Sequence, residues 1–497
     1  MKNLVFRRQF ILTNQKIQAD NTWRKTHILR NSIECMLYTH PDLPITQKTT
    51  SDADLFLLGY VLNPLNPEHS NYDILDTLSK SDSFSSLTAG TEKLTGRYAL
   101  IYIGNNTINV LHDATGFREV FFYSDKGVYA CGSTPNIISE YLKIDRDDDK
   151  ELNRFFNSPQ LNSPERKWIG HRTIFKGISK LLPNHFVDLL KNKTYRYWPL
   201  VPREVKKINI ATDYAAQILT GTYDSAIKRF NIYQTLTGGW DTRLMLAACR
   251  KHTSKVNFYF NRGFKSDKGL VNSPDYLITK EIAERYKLPI EFITIDDLTV
   301  DPEFEKIYYS NNILARKKLL KVYYDRFLRN TQDCITVSGT EGNSLLRLKS
   351  SLNRDASQAE TFAGLFGYNN FPFVIRSIDE WLQEAKQLTK MNYVLSDLFY
   401  WEQNFANWGT LSGSEQDIVW DELRPFNNRA LISTFGSLDD RYRYKDYPES
   451  YVKIITKLWP ELLDFHVETK NYKLKKVLRT IHMEQLADKV FQKIKAV

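Results

Sequence analysis

The sequence predicts a protein of mixed class, in which a β-rich half precedes a parallel α/β half with a helical extension. Residues 1–200 contain short apolar runs separated by turn residues, a pattern typical of antiparallel strands. Beyond residue 205, strand-like and helix-like segments alternate, which is typical of a parallel sheet covered by helices. At 497 residues the chain is long enough for more than one domain, and we expect two, covering 1–200 and 205–497.

The predicted strands of the first half are separated by turns that contain glycine, asparagine or aspartate. The apolar run Leu55–Leu62 predicts a buried strand. The segments after it predict one antiparallel meander, because short turns separate successive apolar runs. The strands of this meander are Tyr98–Ile103, Ile108–Leu111, Val120–Tyr123 and Val128–Cys131.

The second half begins after a proline-containing connector, Pro199–Lys206. Apolar residues at helical spacing predict an amphipathic helix over 207–230. Ser273 is a suitable N-cap, and Pro274 a suitable first residue, for a later helix. The predicted strands of the parallel sheet are Ile232–Leu236, Val256–Phe260, Ile290–Ile295 and one that starts at Ile335. Ligands of such sheets bind at the carboxyl ends of the strands.

The segment Leu236–Ala248, LTGGWDTRLMLAA, predicts a loop between a strand and a helix at such an end. Gly238 and Gly239 allow a sharp turn and a close approach of the backbone to a ligand. Thr237 is the predicted N-cap of the helix. Backbone amides and the helix dipole then form an anion site, for which a polyphosphate is the expected ligand. Asp241 is the expected ligand of a magnesium ion, because hard cations prefer carboxylate oxygens.

Composition and charge restrict the class of function. The chain has 68 Lys and Arg against 58 Asp and Glu, a net charge of +10 that is spread out except for some concentration in the last thirty residues. No motif for base stacking or for a membrane span is evident, so we expect neither nucleic acid nor a membrane as partner. The four cysteines show no metal-ligand or disulfide spacing, which predicts a reducing, cytoplasmic location.

The glycine loop resembles the SGGxDS loop of ATP pyrophosphatases, the enzymes that cleave ATP between its α and β phosphates. Thr237 stands where that family has serine, and Thr242 and Arg243 stand where it has Ser-Ser or similar, so that Arg243 adds a cation at the phosphate site. The P-loop pattern is absent, because neither Lys-Ser nor Lys-Thr follows the glycines. The resemblance implies ATP or pyrophosphate binding by Leu236, Thr237, Gly238, Gly239, Asp241, Thr242 and Arg243.

The first half resembles the glutaminase-type N-terminal domain of the asparagine synthetase family. The residues that match the family pattern are Gly96, Tyr98, Ala99, Leu100, Asp113, Gly116, Phe122, Tyr123 and Ser133. The resemblance covers roughly residues 50–200 and implies an Ntn-hydrolase-like antiparallel β-sandwich with helices. Active members use an N-terminal cysteine as the nucleophile, with its own α-amino group as the base. Lys2 takes that place here, and Cys35 lies well inside the chain, so we expect this half to be inactive on glutamine.

The second half resembles the synthetase domain of the same family in two segments that follow strands. The end of the second strand, here near Phe260, borders the adenine in that family. Ser338 and Gly339 match S-G-x-G-[AS]-D-E, whose acidic residues face magnesium and pyrophosphate. Asn343 takes the usual aspartate position, and Glu341 is the candidate that replaces it as a metal ligand. A purely structural turn is the alternative interpretation.

A third segment, with Glu422 and Arg424, resembles the E-x-R-x-P-F segment of that family but is one residue shorter. The resemblance implies that Glu422 helps to deprotonate the attacking amine and that Arg424 braces the site. A basic residue downstream completes the site in relatives, and Lys470 is a candidate for it. A surface ion pair between Glu422 and Arg424 is the alternative interpretation.

Taken together, these resemblances imply an ATP-dependent, amide-forming ligase that uses magnesium. A carboxylate substrate, small or peptidic, becomes an acyl-adenylate with release of pyrophosphate, and an amine or ammonia then displaces AMP. Because Lys2 replaces the cysteine, ammonia would come from solution or from a separate glutaminase. Two other classes stay open: a tRNA-thiolating enzyme with the same loop, whose catalytic cysteines are not evident, and a non-catalytic nucleotide-binding or assembly protein, which Arg243 and Asn343 favour.

Overall fold

The computed structural model describes residues 1–266, 273–329, 334–348, 354–444 and 447–467. Its first half contains two six-stranded antiparallel sheets, with the orders β10-β8-β9-β1-β3-β2 and β12-β11-β7-β6-β5-β4. The strands are β1 (Phe10–Thr13), β2 (Arg24–Arg30), β3 (Ile33–Thr39), β4 (Ile45–Thr49), β5 (Asp54–Leu62), β6 (Thr95–Ile103), β7 (Ile108–His112), β8 (Phe121–Asp125), β9 (Val128–Gly132), β10 (Ser179–Lys180), β11 (His185–Asp188) and β12 (Lys193–Arg196).

The two sheets share one apolar core. Leu12 and Leu37 of the first sheet are buried in the same cluster as Leu58, Ile101 and Val110 of the second. Successive side chains of a strand point to opposite faces, so each sheet contributes alternate residues to this cluster. The helices of this half are α1 (Asn71–Ser79), α2 (Phe84–Gly90), α3 (Pro135–Leu142) and α4 (Lys150–Phe156). The predicted pair of packed antiparallel sheets is therefore observed.

The single predicted meander is wrong, because its strands belong to two sheets. β6 and β7 pair in the second sheet, whereas β8 and β9 pair in the first. The chain crosses between the sheets after Asp113, whose carboxylate accepts hydrogen bonds from the backbone amides of Phe117 and Arg118, each at 2.8 Å. Turn signals in a sequence separate strands but do not show which sheet receives the next strand.

The second half is built on a five-stranded parallel sheet with the order β15-β14-β13-β16-β17. Its strands are β13 (Asn231–Thr235), β14 (Val256–Phe264), β15 (Ile290–Ile295), β16 (Cys334–Val337) and β17 (Asp421–Leu423). β14 is longer than predicted, while β15 has the predicted bounds. The order places β13 in the centre of the sheet, so the segment that follows β13 leaves from the middle of its carboxyl edge.

Helices surround this sheet and form the predicted extension. They are α5 (Ile208–Ala226), α6 (Trp240–Ala248), α7 (Pro274–Tyr286), α8 (Pro302–Asn311), α9 (Lys317–Leu328), α10 (Ala359–Gly364), α11 (Pro372–Ala385), α12 (Leu395–Phe399), α13 (Ala406–Trp408), α14 (Leu411–Gln416), α15 (Arg429–Gly436) and α16 (Glu449–Leu458). Two π-helical segments, Gly342–Leu346 and Tyr400–Phe405, lie between them. Among the described residues, no helix has the length and apolar character needed to span a membrane.

A buried network of charges joins the two halves. NH1 of Arg97, on β6, lies 2.6 Å from a carboxylate oxygen of Asp417 and 2.6 Å from one of Asp421. Arg118 contacts the other oxygens of the same two aspartates at 3.3 and 3.1 Å. Both arginine side chains are only 1% exposed. Because Asp421 begins β17, the network ties the first half directly to the parallel sheet.

Candidate functional site

The glycine loop lies at the carboxyl edge of the parallel sheet, between β13 and α6. The structure corrects the predicted helix start: Gly239 is the N-cap, and α6 begins at Trp240 without a side-chain cap. The Thr237 hydroxyl accepts a hydrogen bond from the Gly239 amide at 3.2 Å and lies 2.9 Å from the Thr242 hydroxyl. The two threonines therefore shape the loop in front of the helix.

Asp275, at the start of α7, lies directly against this loop. Its carboxylate accepts a short hydrogen bond from the Gly238 amide. An added Cβ on Gly238 would lie 3.0 Å from the same carboxylate oxygen and 3.1 Å from Ile278, so glycine allows this close approach. The amide that the sequence assigns to an anionic ligand thus already binds an anion of the chain.

Asp241 points away from α6 toward the π-helical segment after β16. Its Oδ2 accepts a 2.6 Å hydrogen bond from NH2 of Arg347, and its Oδ1 accepts one at 3.2 Å from the Tyr451 hydroxyl. An added Cβ on Gly342 would lie 2.7 Å from Cγ of Asp241, so this approach requires glycine at that position. Neither Arg347 nor Tyr451 has a motif that marks it in the sequence.

Arg243 lies against the loop, and its predicted contact with a phosphate stays a prediction. Its side chain is fully buried. Its guanidinium donates to the carbonyl oxygens of Phe465 and His466, both at 2.7 Å, and of Gly238 at 3.0 Å. Arg243 therefore fastens the loop to the segment that follows α16.

Glu341, Glu422 and Arg424 meet beside the ends of β16 and β17. Nε of Arg424 donates to Oε1 of Glu422 at 3.1 Å, and its NH1 lies 3.4 Å from Oε1 of Glu341. The Ser338 hydroxyl and the Gln416 amide also donate short hydrogen bonds to Glu422. The three residues are buried, which excludes the alternative of a surface ion pair.

The carboxyl of Glu341 differs electrostatically from an exposed glutamate. Complete burial raises its pKa to about 7, and the attraction of Arg424 only partly offsets this. Its second oxygen, Oε2, has no hydrogen-bond partner in the described part of the chain. In the folded chain this carboxyl therefore keeps its proton to a higher pH than an exposed glutamate does.

The remaining predicted site residues occupy mixed positions. Leu236 is fully buried behind the loop, and Phe260 is buried on β14 with its ring centroid 5.9 Å from that of Tyr276. An added Cβ on Gly339 would lie 2.9 Å from Phe426. Adenine and pyrophosphate contacts of these residues stay predictions, and Lys470 lies outside the described residues.

The donors at this site do not fit a magnesium ion. A magnesium ion at Asp241 would have to displace the Arg347 guanidinium, which already donates to Oδ2 at 2.6 Å. Glu341, the other predicted ligand, is enclosed with Arg424. In the described part of the chain no group of three or more His, Cys, Asp or Glu side chains is arranged to hold a metal.

The first half has no cysteine suited to glutamine hydrolysis among its described residues. Cys35 is buried on β3, and burial raises the pKa of its thiol to about 12, the opposite of what a nucleophile needs. We therefore expect that incubation of the protein with glutamine releases no glutamate above a blank, as measured by coupled glutamate dehydrogenase. Steady release that scales with protein concentration would contradict this expectation.

Comparison with known proteins assigns no family. No protein-family model and no curated protein matches the chain. A glutamine phosphoribosylpyrophosphate amidotransferase from B. subtilis, complexed with ADP and GMP, aligns with 59% of this chain and 61% of its own, at 9% identity and a TM-score of 0.23. The structure of the allosteric regulatory enzyme of purine biosynthesis aligns with 47% of this chain and 56% of its own, at 8% identity and 0.25.

A third solved structure aligns with a smaller share of this chain than the first two do. The NH3-dependent NAD synthetase from Campylobacter jejuni, in complex with nitrate, aligns with 39% of this chain and 96% of its own, at 10% identity and a TM-score of 0.19. At these scores none of the three similarities transfers an activity to this chain, which spans less than two thirds of the first two structures.

Proposed function

We propose that the chain is an ATP-dependent carbon–nitrogen ligase that activates a carboxylate as an acyl-adenylate. The observation that carries the proposal is the convergence of three segments at one edge of the parallel sheet. The glycine loop follows β13, Ser338 follows β16, and Arg424 follows β17. Ligands of open α/β sheets bind at this edge, and α6 directs its N-terminus toward the loop.

In the proposed reaction the loop Thr237–Thr242 holds the phosphates. Glu422 accepts a proton in the second step, the attack by the amine. An oxygen of the substrate carboxylate attacks the α-phosphorus and pyrophosphate leaves. An amine or ammonia then attacks the acyl carbon, AMP leaves, and the nitrogen loses a proton to Glu422. Arg424 acts as a positioning residue, because its Nε holds Glu422 at 3.1 Å. Holding the reacting groups in this geometry supplies much of the rate.

A second candidate is a non-catalytic protein that binds a nucleotide at the same loop. The specific observation in its favour is that both oxygens of Glu422 accept hydrogen bonds, from Ser338, Gln416 and Arg424. Hydrogen bonds that occupy both oxygens leave few lone pairs of Glu422 open to an incoming amine. The two candidates share the nucleotide site and differ in turnover.

ATP–pyrophosphate exchange with a panel of carboxylic acids distinguishes them. We expect exchange with one class of acid and its loss in Asp241→Ala, because Arg347 loses the carboxylate that positions it. Asp54→Ala is the matched control, since Asp54 accepts a 3.1 Å hydrogen bond from Arg30 far from the loop. ATP binding without exchange for any acid would favour the second candidate, and failure to bind ATP would contradict both.

A further inference from the structure

The ion pair between Asp241 and Arg347 bears on which cation the site uses. We propose that the loop between β13 and α6 binds nucleotide phosphates without a divalent cation, with the Arg347 guanidinium in the place of the metal beside Asp241. The inference rests on the proposed nucleotide site, at which Arg347 would supply the positive charge that binds the phosphates.

The first argument is the occupancy of Asp241. Both of its oxygens accept hydrogen bonds, Oδ2 from Arg347 at 2.6 Å and Oδ1 from Tyr451 at 3.2 Å. The Arg347 side chain is 8% exposed and that of Asp241 18%, so water screens the pair only weakly. A metal would have to displace this partly buried, charge-assisted contact before it could bind.

The second argument is the way the backbone holds Arg347. Its amide donates to the Gly342 carbonyl at 3.0 Å. This hydrogen bond spans the π-helical segment Gly342–Leu346, which ends immediately before Arg347. Gly342 in turn lets this segment approach Asp241, because any Cβ there would overlap the carboxylate. π-Helical turns are frequent at functional sites. The fold thus holds the backbone of Arg347, and Asp241 holds its guanidinium beside the first turn of α6.

The third argument is the chemistry of the guanidinium. It is planar, carries five N–H donors, keeps its charge at any physiological pH and pairs with phosphate oxygens through two parallel hydrogen bonds. A guanidinium placed between Asp241 and a phosphate would attract both, the same bridging role that a divalent ion performs. Glu341 offers no second carboxylate for a metal, because it is enclosed with Arg424.

Isothermal titration of the full chain with ATP tests the inference, with excess Mg²⁺ and with EDTA at equal ionic strength. We expect the same dissociation constant in both buffers. Arg347→Gln should weaken binding in EDTA by about tenfold or more, the usual effect of losing a charge-assisted hydrogen bond. In that variant Mg²⁺ should restore part of the affinity, because Asp241 is released. Arg347→Lys, which keeps the charge, should retain part of the binding in EDTA.

Arg30→Gln is the matched control, because Arg30 forms a similarly buried pair with Asp54 in the first half and should bind ATP like the wild type. Binding that requires Mg²⁺ in the wild type would overturn the inference while leaving the proposed function intact. Unchanged binding of Arg347→Gln in EDTA would also overturn it. No ATP binding in either buffer would overturn the proposed function and, with it, this inference. Thermal melts identify a misfolded glutamine variant, in which case the lysine variant decides.

Discussion

Replacing Arg97 by methionine is expected to lower the free energy of unfolding by about 3–5 kcal/mol. The substitution keeps most of the side-chain volume but leaves Asp417 and Asp421 in a buried environment, where Arg118 still contacts both and Arg8 lies nearby. A buried charge without its partner is far more costly than the intact pair is favourable. Urea unfolding followed by circular dichroism measures the change from the shift in the midpoint.

Two further variants show that the effect comes from the network. Arg441→Met removes an arginine whose side chain is 66% exposed and 3.6 Å from Asp439, so it should cost at most about 1 kcal/mol. Adding Asp417→Asn to Arg97→Met should recover part of the loss, since the amide carries no charge. If Arg97→Met unfolds at the wild-type urea concentration, the network does not stabilise the joint between the halves.

Stability is expected to fall by up to about 3 kcal/mol as the pH rises from about 4.5 to beyond 7, through Glu341 alone. Burial raises the pKa of this carboxyl to about 7 in the folded chain, against 4.5 for an exposed glutamate. Between these values the folded state binds a proton that the unfolded state has lost, so the folded state is favoured at the acidic end. Deprotonation then places a charge in a fully buried position.

The pH dependence is isolated by the difference between wild type and Glu341→Gln. The glutamine variant should lose this part of the slope in urea midpoints measured from pH 5 to 8. Glu140→Gln, whose side chain is 63% exposed in the wild type, should keep the wild-type slope. An unchanged slope in Glu341→Gln would show that the carboxyl titrates normally.

The sequence correctly predicted structural features that depend only on residues close together in the chain, such as a helix cap and the bounds of a strand. Ser273 caps α7 by accepting a hydrogen bond from the Tyr276 amide at 3.2 Å, as the Ser-Pro-Asp sequence indicates. The bounds of β15 follow in the same way from one apolar run between turn signals. Such features need only the chain within a few residues, where side-chain and backbone preferences act directly.

The partners of the site residues were outside the reach of such signals. Arg243 next to two glycines looks like a phosphate ligand, yet the carbonyls that it binds at Phe465 and His466 come from more than 200 positions away. Arg347 and Tyr451 reach Asp241 across 106 and 210 positions. Periodicity and capping carry no information about residues that are so far apart in the sequence. The sequence therefore showed which residues are charged, but it did not show which of them pair with each other.

The Asp275 carboxylate competes with any anionic ligand for the Gly238 amide, because it already accepts a hydrogen bond from that amide. Any phosphate that reaches this amide must exchange with a tethered carboxylate, so the measured affinity is the intrinsic affinity multiplied by the fraction of molecules in which the carboxylate has moved aside. Such an exchange discriminates by charge. A monovalent anion binds the loop little more strongly than the Asp275 carboxylate that it displaces, whereas a polyphosphate binds it much more strongly. If the loop binds a polyphosphate, as proposed above, its resting contact with Asp275 favours highly charged ligands over abundant monovalent anions.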